Sequence, residues 1–156
     1  MEQVTALPVV VPELAVVHED LGSDAASVVR TLVDRLHGAD RISDAEALVE
    51  AVLARDALAS TALPGGLAMP HARSAAVTVP SIAVATLPEA ITWTDGTSQV
   101  GLVLLIAAPG DDPIGYLDLL QKVATACVKK AFVDDLPAAA TPEQLAGVLG
   151  SAIHQR

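Results

Sequence analysis

A histidine in an unusual setting is the first candidate for chemistry in this sequence. Residues 65–73 read GGLAMPHAR, and His71 within them is the only one of the four histidines that follows a proline. Proline fixes its own backbone dihedral angle and pushes the residue before it toward an extended conformation. A strand that ends in such a stiff elbow would present the imidazole of His71 at a defined place. The alternative is a solvated imidazole in an ordinary loop, which is our interpretation of His18, His37 and His154.

Two arginines could complete a site around this histidine. An imidazole acts as a nucleophile when one ring nitrogen is neutral and faces the electrophile while the other N–H is held by an acceptor. An incoming phosphoryl group spreads negative charge over its oxygens, and a guanidinium suits that charge. Arg55 ends a predicted helix before the Gly-Gly loop, and Arg73 follows the histidine by two positions. Either could equally be an ordinary surface arginine.

Other kinds of site have little support. No glycine-rich loop followed by Lys and Ser or Thr is present, and no Gly-x-Ser-x-Gly elbow. No two histidines stand at helical ligand spacing, so a zinc site would need distant loops. The net charge of −10, from 9 basic and 19 acidic residues, argues against nucleic acid as a ligand. The same acidity would favour a basic protein partner, although solubility alone would explain it as well.

The length and composition predict one domain. A chain of 156 residues can bury a substantial core. A single cysteine, Cys127, excludes an internal disulfide and suits a reducing compartment. Glu2 with no preceding basic region does not read as a secretory signal, and the apolar run 101–108 is too short to span a bilayer. We therefore expect a soluble cytoplasmic protein, with an N-terminal tail over 1–12 and a single domain over 13–156.

Helical periodicity appears at both ends of the chain. One helix is expected from Ser23 or Asp24 to Gly38, and a second from a capping box at Ser43–Glu46 to about Leu58. A third should follow Pro113, bury a face formed by residues 117, 120, 124 and 127, and end at Lys129 or Lys130. A short piece at 132–136 and a helix capped at Thr141 complete the chain.

The middle of the chain predicts strands at 67–69, 81–87, 91–93 and 100–107. The run 100–106 is apolar on both faces, which indicates a central strand covered by helices above and below. The short connection 87–91 predicts a hairpin, so the sheet should be mixed. The expected fold is a three-layer α/β sandwich with a central mixed sheet flanked by helices.

Three of these stretches resemble a known family. Residues 53–56 (LARD) resemble an Arg-Glu element, and residues 66–71 (GLAMPH) resemble the Gly-hydrophobic-Ala-hydrophobic-Pro-His signature. Residues 102–108 with 116–120 resemble a strand followed by His-Leu-x-x-Leu. Together they are similar to the enzyme IIA domain of the bacterial phosphoenolpyruvate-dependent sugar phosphotransferase system, of the fructose–mannitol type, over about residues 13–153.

The resemblance implies a phosphocarrier. In this family a histidine accepts a phosphoryl group from the protein HPr and passes it to a IIB domain, which phosphorylates sugar entering through the membrane component IIC. Carried to this sequence, His71 is the phosphoacceptor, through Nε2, and Arg55 stabilises the phosphoryl group. Neither a metal nor an organic cofactor is implied, and the membrane is involved only through IIC.

Two positions depart from the family pattern. Asp56 replaces the usual Glu, and Tyr116 stands where a second histidine is common. A tyrosine hydroxyl can donate a hydrogen bond to a phosphoryl oxygen but cannot gain positive charge. It could also simply fill space at a helix start. Because of Tyr116, a binding module with impaired phosphotransfer is one alternative function. A nitrogen-type regulatory phosphoacceptor is the other.

Overall fold

A mixed sheet forms the middle layer of the protein. The structure is a computed structural model that describes residues 8–154, and within them six strands belong to one sheet. They are β1 (Ala15–Val16), β2 (Ala62–Leu63), β3 (Leu67–Ala68), β4 (His71–Ser74), β5 (Ser81–Thr92) and β6 (Gln99–Pro109). The strand order is β1-β5-β6-β3-β2, with β4 also paired to β6. The predicted mixed sheet is therefore confirmed.

Strand β6 is the centre of this layer. It pairs antiparallel with β5 on one side and parallel with both β3 and β4 on the other. Successive side chains of a strand point to opposite faces. Leu102, Leu104 and Ile106 accordingly join one apolar core, while Val103 and Leu105 join the other. The prediction of a central strand buried on both faces is confirmed.

Helices cover both faces of the sheet. Helices α1 (Ala25–Gly38) and α2 (Ala45–Leu58) pack on one face, and α3 (Pro113–Cys127), α4 (Lys130–Ala138) and α5 (Pro142–His154) pack on the other. The three-layer α/β sandwich is thus as predicted. No helix among residues 8–154 has the length and apolar character needed to cross a membrane.

The segment before β1 packs on the domain. The Ile82 N–H donates to the Val9 carbonyl at 2.9 Å, Val10 is buried, and a 3₁₀ turn spans Pro12–Leu14. The division into a tail over 1–12 and one domain over 13–156 stays a prediction. Residues 1–7 of that tail lie outside the described part of the chain.

The predicted capping box of α2 is wrong by one residue. Asp44 is the N-cap, and its side chain accepts from the Ala47 N–H at 3.1 Å. The Ser43 hydroxyl instead donates to the Ala76 carbonyl at 3.3 Å. An Asp carboxylate next to a Ser is an equally good cap, so the choice falls to the residue that has no competing tertiary contact.

The predicted hairpin at 87–91 is also wrong. Residues 81–92 form one strand, β5, whose pairing with β6 shifts register between Thr86 and Ile91. Pro88 lies within the shift, and a proline cannot donate to a strand ladder, so it is accommodated by an irregularity. The chain reverses later, between Thr92 and Gln99.

Helix α3 differs from its prediction at its end and on its buried face. It stops at Cys127, and Lys130 lies in α4, where it pairs with Asp134 at 2.6 Å. Its buried side chains are Leu119, Val123, Ala126 and Cys127, whereas residues 117 and 124 are exposed. Apolar residues occur all around this helix, so periodicity allowed two faces and packing selected one.

Candidate functional site

The histidine of the GGLAMPHAR stretch begins a strand. β3 and β4 lie end to end along the same edge of β6, with Leu67 opposite Leu102 and His71 opposite Ile106. Pro70 separates the two short strands, and its carbonyl accepts from the Ile106 N–H at 2.9 Å. Pro70 is therefore fixed to the central strand β6 just before β4 begins. This contact also holds the backbone of His71 in place.

The imidazole of His71 has a defined tautomer. Its Nδ1 lies 2.7 Å from the Met69 carbonyl oxygen. A carbonyl can only accept, so Nδ1 carries the proton and donates it. The Nε2 atom is then left with its lone pair. The side chain is 7% exposed, so the ring is held by its surroundings.

The environment keeps this imidazole neutral. Burial lowers the pKa of His71 below its ordinary value of 6.5, and the Arg55 cation lowers it as well. The hydrogen bond to the Met69 carbonyl and the Asp56 carboxylate act in the opposite direction, without reversing the pKa shift. A neutral imidazole with a free Nε2 is the form that attacks an electrophile.

The structure brings Arg55 to this histidine. Arg55 lies in the last turn of α2 and is partly buried, and its Nη1 donates to the Ala59 carbonyl at 2.9 Å. Its charge is close enough to lower the pKa of both His71 and Tyr116. The guanidinium keeps several N–H donors beyond the one that Ala59 uses.

Tyr116 lies beside the histidine, in the first turn of α3. The ring centroids of Tyr116 and His71 are 6.1 Å apart, with planes inclined by 48°. Burial raises the pKa of the Tyr116 hydroxyl, and the nearby cations of Arg55 and Arg73 oppose that rise. The phenol therefore remains protonated at neutral pH and can donate a hydrogen bond.

Arg73 lies at the rim of the same site. It is two residues after His71 in β4, so both side chains belong to the same face of the strand. Its guanidinium is exposed and donates to the Gly110 carbonyl. The three residues His71, Arg55 and Tyr116 are thus brought together, with Arg73 beside Tyr116.

Sequence reasoning missed the role of a buried carboxylate next to Arg55. Asp56 is 3% exposed and accepts hydrogen bonds from Thr61, Trp93 and Thr94. Its position gives a signal that could have been used. It continues the buried face of α2 formed by Leu48, Val49 and Val52, where a charged residue requires partners.

Four exposed apolar side chains lie at the ends of α2 and α3, the helices that carry Arg55 and Tyr116. Leu58 ends α2 and is 85% exposed, Ile114 and Leu117 flank Tyr116 and are 82% and 63% exposed, and Val128 is 83% exposed. Val128 also lines a cleft together with Leu63 and Met69. Large apolar groups in water next to a reactive group are typical of a protein-binding surface.

Within residues 8–154 no three His, Cys, Asp or Glu side chains are grouped closely enough to hold a metal ion. The arrangement of a neutral imidazole, a guanidinium and a phenol hydroxyl instead suits the transfer of an anionic group. The imidazole can take the group, and the other two can hold its oxygens.

Known proteins share this fold and sequence pattern. The chain is 36% identical over 124 residues to the PTS system 2-O-alpha-mannosyl-D-glycerate-specific EIIABC component of Escherichia coli strain K12. The aligned region covers 78% of this chain and 19% of that protein. This chain thus spans about a fifth of the length of that relative.

Solved structures agree on the fold. The nitrogen regulatory protein IIA-Ntr from Neisseria meningitidis superposes with a TM-score of 0.80 at 22% identity, over 90% of this chain and 96% of that one. Enzyme IIA-Mtl, solved with phosphorylated enzyme IIB-Mtl of Escherichia coli, superposes with a TM-score of 0.73 at 17% identity, over 89% of this chain and 95% of that one.

A family model settles the relationship suggested by the three sequence stretches. The model described as "Phosphoenolpyruvate-dependent sugar phosphotransferase system, EIIA 2" matches residues 10–151, close to the 13–153 expected from the resemblance. The chain therefore belongs to the EIIA 2 family of the phosphoenolpyruvate-dependent sugar phosphotransferase system.

Proposed function

We propose that this protein accepts a phosphoryl group from HPr on Nε2 of His71 and passes it to a IIB component during sugar uptake. The observation that carries the proposal is the 2.7 Å bond from Nδ1–H of His71 to the Met69 carbonyl, which leaves Nε2 unprotonated. The lowered pKa of His71 adds to this, because the ring stays neutral at neutral pH.

The transfer step needs no proton to leave His71. The Nε2 lone pair attacks phosphorus, an N–P bond forms, and the N–P bond of the donor phosphohistidine breaks, with its electron pair returning to the donor nitrogen. Nδ1–H keeps its bond to the Met69 carbonyl throughout. Transfer to the next protein is the same step with a different acceptor, and no metal or organic cofactor takes part in it.

Three side chains would hold the moving group. The guanidinium of Arg55 stabilises the charge on the phosphoryl oxygens, and the hydroxyl of Tyr116 donates a hydrogen bond to one of them. Arg73 adds positive charge at the rim. Tyr116 occupies the place of a second histidine. Its protonated phenol can donate a hydrogen bond to a phosphoryl oxygen, as a histidine would, but it adds no positive charge.

The surface around the site suits protein partners. Leu58, Ile114 and Leu117, which are close in sequence to Arg55 or Tyr116, expose apolar side chains. The net charge of −10 favours encounter with a protein that is basic around its own phosphohistidine. The neighbour IIA-Mtl was solved in a complex with phosphorylated IIB-Mtl, which supports IIB as the acceptor. The IIC component would then be reached through IIB.

We favour transport over a regulatory role. The relative with 36% identity is named as a 2-O-alpha-mannosyl-D-glycerate-specific EIIABC component, and its identity exceeds the 22% of the nitrogen regulatory neighbour. A cytoplasmic location is part of the same proposal, and the single buried cysteine suits it.

Reconstitution tests this function. The purified protein is incubated with phosphoenolpyruvate, enzyme I and HPr, and acid-labile phosphate is followed by ³¹P NMR and intact mass. We expect one phosphoryl group on the wild type, none on His71→Gln, and one on the control His37→Gln, whose histidine is exposed on α1. Labelling that survives in His71→Gln would disprove the assignment of His71 as the phosphoryl acceptor. Failure to hand the group to any IIB domain would favour a binding module.

A further inference from the structure

We propose that Asp56 is a positioning residue that holds both His71 and Arg55 in the geometry for phosphoryl transfer. This inference rests on the function proposed above for the same site. Asp56 itself touches neither the phosphoryl group nor Nε2 in that function. It acts through the segment that joins the end of α2 to β2, residues 59–61, which we call the α2–β2 link.

The carboxylate of Asp56 is the meeting point of two parts of the chain. From the α2–β2 link it accepts the Thr61 N–H at 3.4 Å and the Thr61 hydroxyl at 2.5 Å. From the tip of the β5–β6 hairpin it accepts the Trp93 indole N–H at 3.2 Å and the Thr94 hydroxyl at 2.6 Å. Four donors around one buried carboxylate satisfy its oxygens and hold the two segments together.

A short run of hydrogen bonds leads from this carboxylate to the reactive ring. The Thr61 carbonyl accepts the Met69 N–H at 3.0 Å. The Met69 carbonyl in turn accepts Nδ1–H of His71 at 2.7 Å. Thr61 therefore connects Asp56 to the residue that sets the tautomer and the direction of the imidazole. A displacement of Thr61 would move the Met69 carbonyl and with it the aim of Nε2.

The same link holds the arginine. Arg55 precedes Asp56 in the last turn of α2, and its Nη1 donates to the carbonyl of Ala59, at the start of the α2–β2 link. The link is also fixed at Ser60, whose hydroxyl donates to Asp95 at 3.1 Å. The carboxylates of Asp56 and of Asp95, which lies on the hairpin tip, both bind the α2–β2 link. They thus control the distance between the Arg55 guanidinium and the His71 imidazole.

The charge of Asp56 reaches His71 as well. Among the groups that face the ring, Arg55 lowers the pKa of His71 and Asp56 raises it. A general loss of stability would not by itself move the titration of His71 in the folded protein. The pKa of His71 is therefore a readout that separates positioning and charge from general stability.

The test compares Asp56→Asn with the wild type in the full chain. Asn keeps the shape of Asp but removes the charge and turns one acceptor into a donor. We expect single-turnover phosphoryl transfer from phospho-HPr to fall about tenfold to a hundredfold, the order expected for misplacement by about 1 Å. The His71 titration midpoint, followed by NMR, should move down. Asp56→Glu, which restores the charge, should recover much of the rate and of the midpoint.

Asp24→Ala is the matched control, because Asp24 also binds a backbone N–H at a helix end, by capping α1 at Ser27. It should leave both the transfer rate and the titration of His71 unchanged. An Asp56→Asn variant with a wild-type rate and an unmoved midpoint would overturn the proposal. So would a loss of rate that Asp24→Ala reproduces at equal loss of stability.

Two outcomes call for a second measurement: an Asp56→Asn variant that does not fold, and a wild type that accepts no phosphoryl group. If Asp56→Asn does not fold, Trp93→Phe is the substitute, because it removes one donor to the Asp56 carboxylate and keeps the others. This variant should slow transfer and move the His71 titration midpoint. A wild-type rate and midpoint would count against the positioning role of Asp56. If the wild type accepts no phosphoryl group, the proposed function fails. The NMR titration still decides whether Asp56 controls His71, because it needs no phosphoryl donor.

Discussion

The Nδ1–H of His71 donates to the carbonyl of Met69, two residues earlier in the chain, over 2.7 Å. The residue between them is Pro70, whose dihedral angle is fixed by its ring. Its carbonyl is bound to the Ile106 N–H of the central strand. Imidazole, carbonyl and strand therefore form one rigid unit, and the free nitrogen Nε2 has a constant direction relative to the sheet.

The first prediction concerns the titration of His71. Because burial and Arg55 lower its pKa, we expect an NMR midpoint below the value near 6.5 of an unperturbed histidine. Phosphoryl acceptance should fall at pH values below that midpoint, since a protonated Nε2 has no lone pair to attack with. The same signal in the urea-denatured chain provides the reference. A folded midpoint at or above the denatured one would contradict the prediction.

The same pKa shift links stability to pH. Between the lowered pKa of native His71 and about 6.5 in the unfolded chain, the native state binds fewer protons. The contribution of His71 to the free energy of unfolding is therefore complete above about pH 6.5 and is lost as the pH falls through its native pKa. Urea unfolding of the wild type and of His71→Gln across this range isolates the contribution. Parallel curves for the two proteins would disprove it.

The second prediction assigns the phosphoryl-stabilising charge. Arg55→Gln should slow transfer from phospho-HPr about 10²-fold, the usual cost of removing one donor to a developing charge. The fold should persist, because Arg55 is only partly buried. Arg30→Gln, which breaks the exposed ion pair between Arg30 of α1 and Glu46 of α2, is the control and should transfer at the wild-type rate. An unchanged rate in Arg55→Gln would remove this residue from the mechanism.

The third prediction concerns the residue that replaces a second histidine. Tyr116→Phe keeps the ring that faces His71 at 6.1 Å and removes only the hydroxyl. Loss of a hydrogen bond to a charged group costs about 1.5–3 kcal/mol, so transfer should slow about tenfold or more. Quenched-flow assays with phospho-HPr measure the transfer rate. Tyr116→His restores a hydrogen-bond donor and should recover the rate. Full activity in Tyr116→Phe would mean that the aromatic ring only fills space.

The fourth prediction concerns the apolar surface beside the site. Ile114→Ser and Leu117→Ser should raise the KM for phospho-HPr while leaving kcat at saturating partner unchanged, because these side chains contact a partner and not the phosphoryl group. Thermal stability should not fall, since both side chains are more than half exposed. Ala26→Ser, on an exposed position of α1, is the control. A wild-type KM in both variants would exclude this surface from docking.

Much of the architecture followed from local rules. The helix caps at Asp24 and Thr141 are present, because a side-chain oxygen next to the first turn needs no distant partner. The central position of β6 followed from apolar residues on both of its faces. Features with two equally good local solutions were predicted incorrectly. The cap of α2, the buried face of α3 and the hairpin within residues 81–92 are of this kind.

The site divides in the same way. His71 could be selected from the sequence, because the proline before it restricts the backbone whatever the rest of the chain does. Arg55 was a candidate partner because it ends a helix before the Gly-Gly loop, whereas Tyr116 was indicated only by the resemblance to a family. Asp56 was noted only as a replacement for the usual Glu, and its hydrogen-bonding role was missed, because its partners Trp93 and Thr94 lie 37 and 38 residues further along the chain.

The sequence by itself determined most of the helices, the central strand, the mixed three-layer fold and the identity of the presented histidine. Each of these depends on backbone restriction, capping and apolar patterning, which act between residues close in the chain. Only the tertiary structure decided which nitrogen of His71 is free, which charges surround it and which carboxylate holds the α2–β2 link. Those properties depend on burial and on hydrogen bonds between distant segments, which exist only once the sheet and helices have packed.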